Sequence, residues 1–196
     1  MQKIKTSIIF FVIILGTIIS CTNTSDYSPK PRGFFRISFP EKTYQEAKTG
    51  CPFTMDIPSY SVLRDDRSAG AQPCWKNLDF PAYNARLHIS YFKISPQAPF
   101  SALTEDARTF AFKHTAKASA IDQRRINRPE DAVYGLTYYI KGNTASNLQF
   151  FVSDSTTHYL RAALYFNEKP NMDSIAPVLE FIQADIERMV NTITWK

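Results

Sequence analysis

AVYGLTYYIK (132–141), GNTAS (142–146) and LQFFV (148–152) read together as strand, turn and strand. The outer segments are aromatic and β-branched, as a pleated, half-buried surface prefers, while Gly142, Asn143 and Ser146 are turn formers. Strands joined so closely pair antiparallel, because a parallel return needs a crossover of about a dozen residues or more. Downstream, Asp154-Ser155-Thr156 makes a tight corner and HYLRAALYFN (158–167) supplies a further strand. Upstream, ARLHISYFKI (85–94) alternates with Leu87, Ile89 and Tyr91 on one face and Arg86, His88 and Ser90 on the other.

The remaining segments extend this pattern. GFFRISFP (33–40) and FTMDIP (53–58) alternate with period two and predict two more strands, while the polar stretch from Ser61 to Pro73 predicts an irregular loop. Pro96 and Pro99 interrupt the chain before a helix that Ser101 can cap, with Leu103, Ala107, Phe110, Ala111 and His114 along one side. A closing helix carries Ile175, Val178, Leu179, Ile182, Ile186, Met189, Val190 and Ile193 at steps of three and four. Glu180, Asp185, Glu187 and Arg188 fall largely elsewhere, and Asp173 or Ser174 is the expected N-cap. The fold class is therefore α+β, a mainly antiparallel sheet flanked by helices. The element order resembles the PsbP/Mog1-type α-β-α sandwich, an analogy resting on order alone.

The N-terminus carries a different message. Lys3 and Lys5 precede an apolar run from Ile8 to Leu15, and Ile18-Ile19-Ser20-Cys21 closes the segment. Basic head, apolar core and small residue before a cut site make a secretory signal. The run ending at Ile19 falls short of the roughly 20 residues a spanning helix needs. The last tetrad resembles the bacterial lipobox, in which the cysteine becomes the first mature residue and carries lipid on its sulfur. The expected organisation is a lipoprotein signal at 1–20, a lipidated Cys21 with a flexible tether to residue 32, and one globular domain over 33–196. The tether from Thr22 to Arg32 is polar and reaches at most ~35 Å when extended.

With Cys21 committed to lipid, Cys51 and Cys74 are the two remaining thiols. In an oxidising compartment an even remainder predicts a disulfide, with two buried free thiols as the alternative reading. Removal of Lys3 and Lys5 leaves 21 basic and 18 acidic side chains, a net charge of +3. That balance is small and dispersed, which argues against nucleic acid as partner.

No motif carries chemistry. His88, His114 and His158 share no metal-ligand spacing with one another or with a cysteine or carboxylate, so no metal site is expected. Phosphate-cradling glycine loops and a Gly-x-Ser-x-Gly elbow are absent, and no catalytic residue or cofactor is assigned.

Along the chain come Pro29 to Arg36 with Phe39-Pro40, Cys51-Pro52-Phe53, Cys74-Trp75, Asp79-Phe80-Pro81, Lys113-His114-Thr115, Gly142 to Ser146, Gln149-Phe150, Asp154 to Thr156, Arg161 to Asn167, Lys169-Pro170-Asn171 and Trp195-Lys196. In that order these segments resemble the gliding motility lipoprotein GldD family of Bacteroidetes-type bacteria. The resemblance implies an accessory, non-catalytic lipoprotein of the gliding machinery and of type IX protein secretion, acting through protein partners. The candidate contact residues are Lys113, His114, Thr115, Gly142, Asn143, Thr144, Ser146, Asn167, Lys169 and Asn171, for which turn and cap chemistry is the competing account. The residues after Cys21 include a single acid, Asp26, so a periplasm-facing anchor is expected, in either membrane. Two rival functions remain. The 27 aromatic residues raise a module for an apolar ligand, and the polar strand faces raise a hydrolase using a serine or histidine.

Overall fold

From Tyr44 onward the chain is regular almost throughout. Three short strands come first: β1 (Tyr44–Glu46), β2 (Phe53–Thr54) and β3 (Asp56–Pro58). β4 (Val62–Asp65), β5 (Lys76–Phe80) and β6 (Ala85–Lys93) lead to helix α1 (Phe100–Phe112). β7 (Ala120–Arg128), β8 (Val133–Lys141), β9 (Leu148–Ser153) and β10 (His158–Phe166) precede helix α2 (Met172–Thr192), and β11 (Thr194–Trp195) ends the chain. This computed structural model describes residues 36–196. The leader, Cys21, the tether and Gly33 to Phe35 lie outside them. Residues 37–196 form one compact unit.

A seven-stranded sheet runs in the order β4-β5-β6-β10-β9-β8-β7, every neighbouring pair antiparallel. The two helices take opposite faces. On one, Val178, Ile182, Ile186, Met189 and Val190 of α2 pack with Leu78, Leu87, Ile89, Phe150, Val152 and Leu160. On the other, Leu103, Ala107 and Ala111 of α1 meet Tyr138, Ile140, Phe151 and Tyr159. Burying each large apolar side chain contributes about 1.5–3 kcal/mol relative to exposure. β9 is buried at all six positions because it is covered on both sides. The aromatic pairs divide between the layers: Tyr138 and Phe151 join the α1 core, Tyr139 and Phe150 the α2 core. A Cβ at Gly135 in β8 would lie 1.9 Å from the Phe151 carbonyl oxygen, so only glycine lets β9 approach there.

The antiparallel α+β sandwich agrees with the sequence expectation. Details differ. Residues 36–43 form no strand and are exposed; of the alternating Ile37 and Phe39, the Phe39 ring stacks on Phe181 of α2 at 4.3 Å. FTMDIP is two strands, β3 pairing with β1 and β2 with the C-terminal β11. The Ser61–Pro73 stretch contains β4, whose register with β5 pairs Leu63 with Leu78. α1 begins at Phe100 with Pro99 in the cap position, so Ser101 is already helical. α2 begins at Met172 with Asn171 as its N-cap, two or three residues before the expected Asp173 or Ser174, and Pro177 lies inside it.

Candidate functional site

The three polar segments singled out in the sequence gather at one end of the sandwich. A short 3-10 helix, Lys113–Ala116, continues α1. His114 Nε2 lies 3.1 Å from the Gln149 side-chain nitrogen, and burial lowers the imidazole pKa, so a neutral ring accepts that amide proton. The Thr115 hydroxyl donates to the Phe112 carbonyl at 2.6 Å, and Lys113 Nζ sits 4.6 Å above the Phe110 ring. In the β8–β9 turn, Gly142 has φ +106° and a Cβ there would come 2.9 Å from the Lys117 carbonyl oxygen. Thr144 and Ser146 are buried, with the Thr144 hydroxyl donating to the Ser146 carbonyl at 3.1 Å. Asn147 closes the turn by donating to the carbonyls of Ile140 and Gly142.

Asn143 reaches further. Its Oδ1 accepts the Met172 N–H at 2.7 Å and so caps α2 from a different turn. Asn171 occupies the N-cap position, and its carbonyl accepts the N–H groups of Ser174 and Ile175. Asn167 donates its N–H to the Asn84 carbonyl at 2.8 Å. Lys169, Pro170, Asn143 and Lys117 line a shallow cleft of about 410 Å³. The structure thus brings Asn143 and Lys169 together and adds Lys117, while Thr144, Ser146, Thr115 and Asn167 direct polar groups into the turns themselves.

The strongest polar cluster is one that periodicity placed on the outer face of the closing helix. Asp185 is fully buried. Lys42 Nζ lies 2.7 Å from Asp185 Oδ1, the Tyr44 hydroxyl donates to the same oxygen at 2.7 Å, and the Tyr60 hydroxyl donates to Oδ2. Lys42 also donates to the Phe181 carbonyl and lies over the Phe181 ring at 4.1 Å. Burial and the bond to Asp185 raise the Tyr44 pKa to about 12 and that of Tyr60 further. The cluster pins residues 37–44 across α2. The signal was present: Asp185 stands three residues after Ile182 and four before Met189, inside the apolar stripe.

Cys51 and Cys74 form a disulfide with Cα atoms 5.7 Å apart, tying the segment after β1 to the β4–β5 hairpin. The three histidines stand in separate environments. The ring of His88 meets Tyr165 edge-on, and His158 stacks on Trp195 and shares a 2.8 Å bond with the Tyr91 hydroxyl. His158 is on the α2 side of β10, beside Leu160, rather than on the polar face. Among the described residues no imidazole nitrogen bonds a serine, cysteine or carboxylate, and no group of three or more metal-ligating side chains occurs. No helix among them is long and apolar enough to cross a membrane.

Fold and site define a PsbP-like α-β-α sandwich whose conspicuous polar groups lock turns, a helix cap and an N-terminal strap. Cyanobacterial PsbP (CyanoP) from Synechocystis sp. PCC 6803, known from a solution structure, is similar, with a TM-score of 0.51 at 10% identity over 85% of this chain and 98% of that one. The chain belongs to the gliding motility lipoprotein GldD family, whose model matches residues 24–195. Among curated proteins nothing matches the chain in sequence. Membership of a lipoprotein family makes it a membrane-anchored protein of the cell envelope with a role in gliding motility.

Proposed function

We propose that the protein is a non-catalytic accessory subunit that supports gliding and type IX secretion by binding other envelope proteins. Its lipid is carried on Cys21 and its domain faces the periplasm. The observation that carries this reading is the strap. Residues 37–44, near the start of the described chain, are fixed to α2 by the Lys42 ion pair and the Tyr44 hydrogen bond to the buried Asp185 carboxylate and by the stack of Phe39 on Phe181. A chain that needed only to hang from a membrane would not require such a seat, whereas one that presents a face to a partner would. The end formed by Lys113 to Thr115, Gly142 to Ser146 and Asn167 to Asn171 is the contact surface on this reading, with Lys113, Thr115, Asn143, Asn167, Lys169 and Asn171 exposed.

The test is affinity purification of the full-length lipidated protein from gently solubilised, crosslinked membranes. Recovery of motility or secretion subunits is expected, diminished when Lys113 and Lys169 are both replaced by Glu. Recovery of the protein alone after crosslinking overturns the proposal.

A further inference from the structure

β7 is a free edge of the seven-stranded sheet: β8 pairs with its inner side and no described strand lies beyond it. The ladder runs unbroken from Ala120 opposite Lys141 to Arg128 opposite Val133, so no bulge interrupts the strand. The direction of its main-chain groups follows from the next ladder. Ile140 donates its N–H to the Asn147 carbonyl and so faces β9, which turns Tyr139 and Lys141 toward β7. Ser119 accordingly donates to the Lys141 carbonyl at 2.9 Å. Antiparallel alternation then directs Asp122, Arg124, Ile126 and Arg128 inward, and Ile121, Gln123, Arg125 and Asn127 outward. The N–H and C=O groups of those four outward residues line the edge, and no other described segment bonds them.

Natural sheets guard a long edge with proline, lysine, a bulge or a cover. β7 has neither proline nor lysine in its nine residues, and Asp122 to Arg125 and Asn127 are exposed. The opposite edge, β4, is only four residues long. Arginine is the guard on β7, where Arg124, Arg125 and Arg128 stand against the single Asp122. Most of these charges are already matched: Asp122 with Lys141 at 2.7 Å, Arg124 with Glu187 at 3.1 Å, and Arg128 with Asp131. Arg125 has no ion-pair partner among the described residues, is exposed, and belongs to the outward set. Like charge repels unwanted strands while leaving the main-chain groups available, so this edge selects by sign.

Each occupant meets the edge differently. A second copy paired over all four outward residues, Ile121 opposite Asn127, sets Arg124 against Arg124, which opposes self-association. A cationic strand meets three guanidinium groups. An extended segment with a carboxylate opposite Arg125 satisfies the outward main-chain groups and the unmatched charge together.

We infer that the outer edge of β7 receives an extended acidic segment of a partner protein as an added strand, with main-chain bonds to Ile121, Gln123, Arg125 and Asn127 and a carboxylate on Arg125. The inference rests on the reading that the protein acts through protein partners, and assigns a contact distinct from the turns that hold Lys113 and Lys169.

The test adds a synthetic peptide of alternating threonine and glutamate, long enough to span β7, or its threonine–lysine counterpart, to the full-length lipidated protein in a neutral detergent. Affinity is measured by calorimetry, and amide hydrogen exchange is followed residue by residue by NMR. The acidic peptide should bind and slow exchange at Ile121, Gln123, Arg125 and Asn127, with little change at Asp122, Arg124 and Ile126, which already bond β8. Loose charge attraction does not produce that alternation. Gln123→Pro deletes one outward N–H without touching the β7–β8 ladder, and Arg125→Glu reverses the free charge. Each should weaken the acidic peptide by about tenfold, the loss of roughly one good contact, while cooperative thermal unfolding is retained. Arg125→Glu should also bind the lysine peptide more tightly than the parent does. No binding of the acidic peptide, equal binding of both peptides, protection without the alternation, or unchanged affinity in both folded variants overturns the inference. Because the peptides are supplied, that failure leaves the crosslinked purification of native partners to be decided by its own result.

Discussion

Tyr60 donates its phenol proton to Asp185 across 125 residues of chain, and the acceptor is a fully buried carboxylate on α2. That bond, with those from Lys42 and Tyr44, closes the α2 side of the domain around a charge that has no other reason to be there. A buried carboxylate persists only when its partners replace the water it has lost.

Removing the carboxylate should therefore be expensive. Asp185→Ala leaves Lys42 and two hydroxyls facing an apolar helix, and should destabilise the domain by about 3 kcal/mol. In a domain of this size the midpoint of thermal unfolding should fall by roughly 6–12 °C. Asp185→Asn, which keeps an acceptor but not the charge, should lose less. An Ala variant with unchanged melting would show that the cluster is incidental to stability.

Alkaline unfolding should report this cluster together with the separate Tyr139–Glu187 bond. The Tyr44 and Tyr139 pKa values are raised to about 12, the latter by burial and the Glu187 carboxylate, while an unfolded tyrosine ionises near 10. Folded phenols hold their protons more tightly, so stability is fully present below pH 10 and declines between about 10 and 12. Absorbance titration near 295 nm should show a late group of tyrosines whose ionisation coincides with loss of structure. A single transition near pH 10 in the folded protein would contradict the assignment.

The disulfide makes a separate contribution. Reduction, or paired Cys51→Ser and Cys74→Ser replacement, should cost roughly 3 kcal/mol by releasing the loop between them in the unfolded chain. The midpoint of urea unfolding is the measurement, and an unaltered midpoint would be the contrary result.

Asn143→Ala tests a cap that is not local in sequence. Loss of the bond to the Met172 N–H should lower stability by about 1 kcal/mol. Hydrogen exchange should rise in the first turn of α2 and not elsewhere. Uniform change across the domain would instead indicate that the β8–β9 turn itself had been lost.

For Cys21, replacement by Ala is expected to leave a folded domain that restores neither gliding nor secretion. Motility assays on cells carrying only this variant supply the measurement. Full function without the lipid would show that the anchor proposed on Cys21 is not needed for the role.

Much of the sheet was legible because half-buried strands alternate and fully buried ones run apolar, as in β6 and β9. β7 was not. AIDQRRINR is an edge strand whose single buried residue is Ile126, so no period-two stripe marks it; its nine-residue register with β8 creates it. β5 was hidden by brevity, and β4 by the polar loop around it. Of the contact candidates, the turn chemistry of Gly142 and Thr144 was readable locally, but the reach of Asn143 to α2 was not, because that bond spans 29 residues.

The sequence by itself determined the helix stripes, the antiparallel α+β class and the cysteine pair, since each depends on spacing or compartment. Tertiary structure decided the rest. It reversed Asp185 from a surface charge to a buried anchor, because Lys42, Tyr44 and Tyr60 converge there from distant positions. It also left the outer side of β7 open, because the register sets β8 on its other side and no described segment beyond it.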